Sequence, residues 1–473
     1  MRLTLIHCGY LLADKEHLTT EDPKTSGLLY KLEERPPFAG AAFAGFQHLL
    51  AMFGGILAAP LLVAVGMGLD ASDTTYLISA AMVVSGFATL VQINRFGMLG
   101  TGLLSVQGTS FAFIGPLVFS YEKLVVDRSS DEALGVIFGS SAICALVVMF
   151  LSIYIRHLKH VITNNVAGVT IILIGLSLVH STLEGIAREF SAAGGQRGDG
   201  VPLIALAATV FVVILVFARQ GRAWLRLSSI TLGLGAGILA SMLLGIADFS
   251  GLGDVPYVFS PEVMRYPVGI ELQVIAILLP IYLVSAMESV GDITATSNLS
   301  GLPTEGREYW TRIRGGVMAG AFASFAAALV STFPSTTFSQ NNGVIRLTGV
   351  ASRHVGKFVA VFLVLLGLVP AIAALFQAVP VVVVFGATLL MFLLVAVSGF
   401  RVVQDSDPRL RDYLLVALAI LMGYGVATYI DLLPGLPSEL VTVFQFPVST
   451  GAVLAILLEF IVPGRVRGAR ASA

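Results

Sequence analysis

The stretch TFPSTTFSQNNGVIRLTG, Thr332 to Gly349, decides how this chain is read. Long apolar runs flank it, so its position in the chain puts it at membrane depth. Yet it is crowded with hydroxyls and amides, and Pro334 and the run Asn341-Asn342-Gly343 both work against a continuous helix. Irregular polar backbone survives at that depth only where protein or a watery cavity satisfies its hydrogen bonds. The segment is therefore read as a break in a membrane span, facing a cavity.

Working outward, the chain has 473 residues, of which 56% are hydrophobic and 12% charged. Soluble domains carry about 25% charged residues, so the shortfall implies a polytopic, all-α membrane protein. At about 20 apolar residues per span, fourteen segments are expected. They lie near 40–67, 76–94, 98–119, 133–155, 161–181, 202–219, 225–247, 268–292, 315–332, 334–350, 355–378, 380–400, 411–429 and 447–463. Residues 1–38 and 464–473 read as polar tails, and the longest outer loops as 182–201 and 248–267. Two cysteines, Cys8 and Cys144, exclude a disulfide framework or a zinc site. No metal site, no ATP-binding loop and no nucleophile–base set is found, and nothing points to nucleic acid. An enzyme is not expected.

Charge placement orients the chain. With the amino terminus inside, the inner loops hold Arg95, Arg156, Arg219, Arg222, Arg226, Arg307, Arg312, Arg314, Arg353, Lys357, Arg401, Arg409 and Arg411. The outer loops hold fewer cations, diluted by acids such as Asp70, Asp73, Asp248 and Asp254. Both termini are expected in the cytoplasm, with the chain in a plasma or inner membrane. Fourteen spans divide into seven and seven, and an odd repeat inverts its second copy, the plan of many secondary transporters. The third segment, LLSVQGTSFAFIGP (Leu103 to Pro116), then pairs with the opening stretch. Each is expected to run extended, break, and start a half-helix with free N–H groups.

Glu288 and Asp292 lie in the eighth segment, where their i, i+4 spacing puts both carboxyls on one helix face. A carboxylate at bilayer depth is costly unless protonated, paired or hydrated, which makes Glu288 a candidate substrate acceptor linked to protonation. For Asp292 the competing reading is an acid near a helix end that reaches the headgroups. The amides of Gln340, Asn341 and Asn342 suit a planar ligand whose edge alternates donors and acceptors, as nucleobases do; the competing reading is support of the broken backbone. His48 can titrate near neutrality or act as a packing residue. Phe111 can stack on an aromatic ligand or simply fill the core. Arg346 is expected to snorkel toward the inner rim, with pairing to an acid as the alternative.

QNNGVIRLTG, Gln340 to Gly349, resembles the signature of the nucleobase–ascorbate transporter family (nucleobase:cation symporter-2). So do the flanking FQHLLAMFGG in the first segment, GTSFAF in the third and ESVGD in the eighth. The resemblance runs from about residue 38 to 463. It implies a seven-plus-seven inverted repeat with short β-strands in segments 3 and 10. A core domain would comprise 39–160 and 251–379, and a gate domain 161–250 and 380–463. A homodimer is implied as well.

Carried over by position, Glu288 and Gln340 would be the main base-binding side chains. Phe111 and Ser339 would add packing and backbone N–H groups, with Ser110 alongside, while Asp292, Asn341 and His48 would support geometry and coupling. Gln340 followed by NNGVIRLTGVAS looks like the xanthine and uric acid branch, and a glutamate there like the uracil branch. One departure is Gly320, where many members place an acid. The function implied is proton-coupled import of xanthine or uric acid, without a cofactor. The alternatives are uracil or another base, sodium coupling, or an anion exchanger of the same fold.

Overall fold

The computed structural model describes residues 28–158, 163–194, 200–222, 225–226, 228–253, 255–404, 408–430, 441 and 444–462. The expectations for residues 1–27 and 464–473, and for part of 182–201, lie outside the described residues. Helices α1 (Phe38–Gly66), α2 (Ala71–Asn94), α3 (Ile114–Leu124) and α4 (Ser130–Ser152) open the chain. Then come α5 (Asn164–Ala192), α6 (Val201–Ala218), α7 (Ser229–Leu243), α8 (Leu272–Leu299) and α9 (Gly306–Leu329). The chain closes with α10 (Gln340–Thr348), α11 (Arg353–Gly367), α12 (Pro370–Gln377), α13 (Val381–Gln404), α14 (Leu410–Tyr429) and α15 (Pro447–Ile461). Among the described residues, eight helices are long and apolar enough to cross a membrane by themselves. The bent pair α11–α12 brings the number to nine.

Three expectations change. The eleventh segment is two helices meeting at 71°, because Pro370 cannot extend the hydrogen-bond ladder of α11. The loop expected from residue 182 is helical as far as Ala192. The eighth segment continues to Leu299, since the small polar residues after Asp292 turn back on their own helix; Thr296 and Ser297 donate to the carbonyls of Asp292 and Ile293. Asp292 is therefore interior to a helix rather than at its end.

Segments 3 and 10 are not continuous helices. Strand β1 (Gln107–Thr109) pairs antiparallel with β2 (Ser335–Thr337), in the register Gln107↔Thr337, Gly108↔Thr336 and Thr109↔Ser335. Ser110 N donates to Pro334 O at 2.9 Å and Phe338 N to Val106 O at 3.0 Å. Each strand thereby satisfies the other's backbone far from solvent. Both strands are buried along their whole length.

The long helices pack as two sets. α2 lies on α11, α9 on α4 and on α2, α1 on α11, and α8 on α4. In the other set α13 packs on α5 and α6, α6 on α7, and α15 on α14 and α5. The strand pair sits with the first set. Aromatic contacts cross the seam at Phe111–Phe392, 5.3 Å between centroids, and at Phe119–Phe446, 4.7 Å.

The chain before α1 also supports the signature segment. Leu29 N and Tyr30 N both donate to Gly349 O, at 2.7 and 3.2 Å. Gly349 ends α10 with φ +70°, a conformation glycine adopts without Cβ strain. On the opposite face, Arg265 packs 4.4 Å from the Tyr76 ring and pairs with Asp73 and Glu262. This pins the connection before α8 onto α2.

Candidate substrate-binding site

Where β1 and β2 end, two half-helices begin. A 3-10 turn, Phe111–Phe113, leads from β1 into α3, and Ser339 leads from β2 into α10. Because the strands are antiparallel, the two half-helices diverge and their amino ends meet at the strand pair. The positive ends of both helix dipoles therefore converge there, although Asn341 N and Asn342 N already donate to Phe338 O and Ser339 O, and Phe113 N to Ser110 O.

Neighbouring helices fix this geometry. Gly108 lies so close to Phe338 that a Cβ would stand 2.4 Å from the ring. Glycine thus lets Phe338 lie against the strand, and Phe338 in turn meets Phe111 at 6.2 Å. Helix α8 lines up Ser285, Ser289 and Asp292 toward β2. Ser285 Oγ donates to Thr336 Oγ1 at 3.2 Å, and the Thr337 hydroxyl donates to Asp292 Oδ2 at 3.0 Å, with Ser289 Oγ 3.4 Å away. Ser285, Ser289, Thr336 and Thr337 were not singled out from the sequence. Their trace was the hydroxyl spacing i, i+4, i+7 that ends on Asp292.

The asparagines serve the backbone and the packing. Asn341 Nδ2 donates to Leu104 O at 2.5 Å, and its Oδ1 lies 2.8 Å from His48 Nδ1. Asn342 Oδ1 accepts from Thr296 Oγ1 at 2.6 Å, and its Nδ2 reaches Asp292 O at 3.4 Å. His48 is fully buried, with Nε2 unpartnered among the described residues.

Gln340 and Glu288 behave differently. Both are half-buried, and neither side chain has a hydrogen-bond or ion-pair partner among the described residues. Ser339 is exposed. Ser110 is buried, and its hydroxyl lacks a partner among the described residues. Phe111 is half-buried and edge-on to Phe392. Glu288 also borders a cavity of about 380 Å³ between α4 and α8 on one side and α5 and α15 on the other. Apart from Thr170 and Glu288, its lining is apolar, with Leu151, Pro280, Met287 and Ile456 among the walls. The structure thus leaves three polar side chains without partners among the described residues: the Gln340 amide at the amino end of α10, the Ser110 hydroxyl at the end of β1, and the Glu288 carboxyl on α8 at the apolar cavity between the helix sets. Among the described residues, no group of three or more His, Cys, Asp or Glu is placed to hold a metal ion.

Gly320 faces open space, with nothing within 4 Å of the position a Cβ would take. Its carbonyl accepts from Ser324 Oγ, which also receives Ser335 N at 3.0 Å. Arg346 is exposed and has no carboxylate partner among the described residues. The pairing considered for it from the sequence does not form.

Comparison with known proteins agrees with this architecture. The family profile Xan_ur_permease, described as Permease family, matches residues 39–432. Xanthine permease XanQ of Escherichia coli (strain K12) is 36% identical over 443 residues, 93% of this chain and 95% of that protein. Xanthine permease XanP of the same strain is 36% identical over 442 residues, 93% and 96% respectively. Among solved structures, the transmembrane domain of the cyanobacterial bicarbonate transporter BicA aligns with TM-score 0.60 at 15% identity, covering 90% of this chain and 99% of that one. Murine Slc26a9, an anion transporter in an inward-facing state, aligns at TM-score 0.58 and 11% identity, covering 91% and 69%. The structural likenesses establish the fold only. The extent of the profile match and the identity to the permeases establish the family: this multi-pass membrane protein is a transporter rather than an enzyme, and belongs to the nucleobase–ascorbate transporter family of permeases.

Proposed function

We propose that this protein imports an oxidised purine base, xanthine or uric acid, by proton symport across a plasma or inner membrane. The observation that carries the proposal is that Gln340, at the amino end of α10, and Glu288, on α8 at the cavity between the helix sets, are both without protein partners among the described residues. In this reading the Gln340 amide meets a donor–acceptor edge of the base, and the Glu288 carboxyl takes ring N–H groups. Phe111 packs against the ring face. Ser339 contributes its backbone N–H; that of Ser110 is given to Pro334 O, so Ser110 offers its hydroxyl instead. Asp292, Asn341 and His48 hold the strand, the half-helix and α1 in place.

The proton has a physical role. A carboxylate facing an apolar seam is costly when charged, so proton uptake at Glu288 and occupancy by the base become linked. Residues 39–160 and 251–379 act as the moving core and 161–250 and 380–463 as the gate, in a fourteen-span inverted repeat with both termini cytoplasmic. Sliding of the core along the seam exposes the site alternately to each side. The partners are the purine and the bilayer, with a second copy of the chain forming a homodimer.

Uptake of labelled xanthine, urate and uracil into cells expressing the protein, with and without a proton uncoupler, tests this. Purine accumulation abolished by the uncoupler is expected. Uracil uptake alone would reassign the substrate, and uptake that follows a sodium gradient would reassign the coupling ion. Chloride-dependent bicarbonate flux without any base uptake would make it an anion exchanger, as its fold neighbours' names permit.

A further inference from the structure

The chain ahead of α1 is built into the carboxyl end of half-helix α10. Besides the two donations to Gly349 O, Tyr30 forms a parallel bridge with Val350. Ala351 N donates to Tyr30 O at 2.9 Å, and Arg353 N to Leu32 O at 3.0 Å. The Ser352 hydroxyl donates to Glu34 O at 2.5 Å, and Arg353 pairs with Glu33 at 2.6 Å. An extended segment laid on a backbone edge in this way is held by main-chain hydrogen bonds. Side chains carry the contact further: Leu28 and Tyr30 pack on a small apolar cluster that includes Leu104, Ile345 and Val350. Ile345 belongs to α10, and Leu104 O accepts from the Asn341 amide. One cluster therefore joins the leading segment to both broken spans.

Half-helix α10 needs such support. It has nine residues, fewer than the roughly 12–15 at which an isolated helix becomes even marginally stable. Asn341, Asn342 and Gly343 are also poor helix formers. Its amino end is held by Asn341, through His48 and Leu104 O. Its carboxyl end is held by residues 29–34. Thr348 stands roughly 12 Å along the axis from Gln340, so a change of tilt or register at the far end re-aims the Gln340 amide.

We propose that residues 28–34 are a positioning strap for the base site, which sets the aim of Gln340 and hence the affinity for the base. The inference rests on the purine reading above, in which Gln340 meets the base, and adds residues that touch no substrate. Leu29 and Glu33 are the members best suited to a test. Leu29 is 63% exposed, so its part is played by its backbone N–H, and Glu33 is exposed beyond its pairing with Arg353.

Uptake of labelled xanthine by cells expressing the full-length protein supplies the test. Leu29→Pro deletes one N–H donated to Gly349 O and should raise KM about 3- to 10-fold at an unchanged maximal rate. Leu29→Ala keeps that N–H and should shift KM by less than about 2-fold. Arg353→Glu should raise KM about 2- to 5-fold, and adding Glu33→Arg should restore it; this pair carries the test if Leu29→Pro does not fold. The decisive comparison is made in Gln340→Ala, where the strap variants should cost nothing further because the group they aim is gone. Losses that add in full to Gln340→Ala would overturn the inference and leave the purine reading standing. So would a wild-type KM in both Leu29→Pro and Arg353→Glu. Wild type that takes up none of xanthine, urate and uracil would remove the functional reading and this inference together.

Discussion

His48 Nδ1 stands 2.8 Å from Asn341 Oδ1, joining the first helix to the signature half-helix across 293 residues of sequence. The Asn341 amide also donates to Leu104 O, so both of its ends are used by the protein. Replacing Asn341 with alanine strands a buried imidazole N–H and a buried carbonyl. The expected loss is about 2–4 kcal/mol of stability, read as a lowered melting temperature in detergent. Unchanged melting with abolished base binding would instead make Asn341 a substrate-reading residue.

Glu288 and Gln340 should give the opposite pattern. Neither has a partner to lose among the described residues, so Glu288→Gln and Gln340→Ala are expected to change stability by no more than about 0.5 kcal/mol. Transport efficiency should fall about 10- to 100-fold, the range for one lost hydrogen bond to a bound ligand. Normal uptake in either variant, at normal expression, would count against the assigned roles.

Two buried glycines provide a steric contrast. A Cβ at Gly108 would meet the Phe338 ring at 2.4 Å, whereas at Gly320 it would meet nothing within 4 Å. Gly108→Ala is expected to cost about 1–3 kcal/mol by overpacking and to displace Phe338 from Phe111. Gly320→Ala, in a helix interior, should be neutral or stabilising by up to about 1 kcal/mol. Thermal unfolding of both variants checks this, and the reverse ranking would refute it.

The connection before α8 should show alkaline sensitivity. Burial, followed by the hydrogen bond that Tyr266 donates to Asp73, raises the pKa of the Tyr266 phenol. Since the folded value lies above the unfolded one, this stability is fully present below the unfolded tyrosine value of about 10. It is lost as pH rises beyond that. Tyr266→Phe should lower stability near neutrality and flatten the alkaline decline. An identical alkaline profile in wild type and Tyr266→Phe would exclude the phenol as the group responsible.

Much of the architecture was legible in the residues, for reasons of scale. Apolar runs report spans because every lipid-exposed backbone group must bond within its own segment. The breaks at Gln107–Thr109 and Ser335–Thr337 were legible because proline, glycine and hydroxyl residues disfavour helix locally. Helix extents were less legible. The continuation of α8 to Leu299 and the 71° bend before α12 depend on neighbours as much as on propensity.

By itself the sequence determined that this chain is a polytopic membrane protein with polar breaks in two segments, and it named Glu288, Asp292, His48 and the amides as the groups able to do chemistry. Which of those groups is available for a ligand was decided by tertiary structure alone. Gln340, Asn341 and Asn342 are consecutive amides with the same chemistry, yet Asn341 is spent on His48 and Leu104, Asn342 on Thr296 and Asp292, and Gln340 on nothing among the described residues. The physical reason is that hydrogen-bond satisfaction depends on which distant elements a side chain meets. One helical residue turns a side chain by about 100°, and here that step separates the half-buried Gln340 from the packed Asn341.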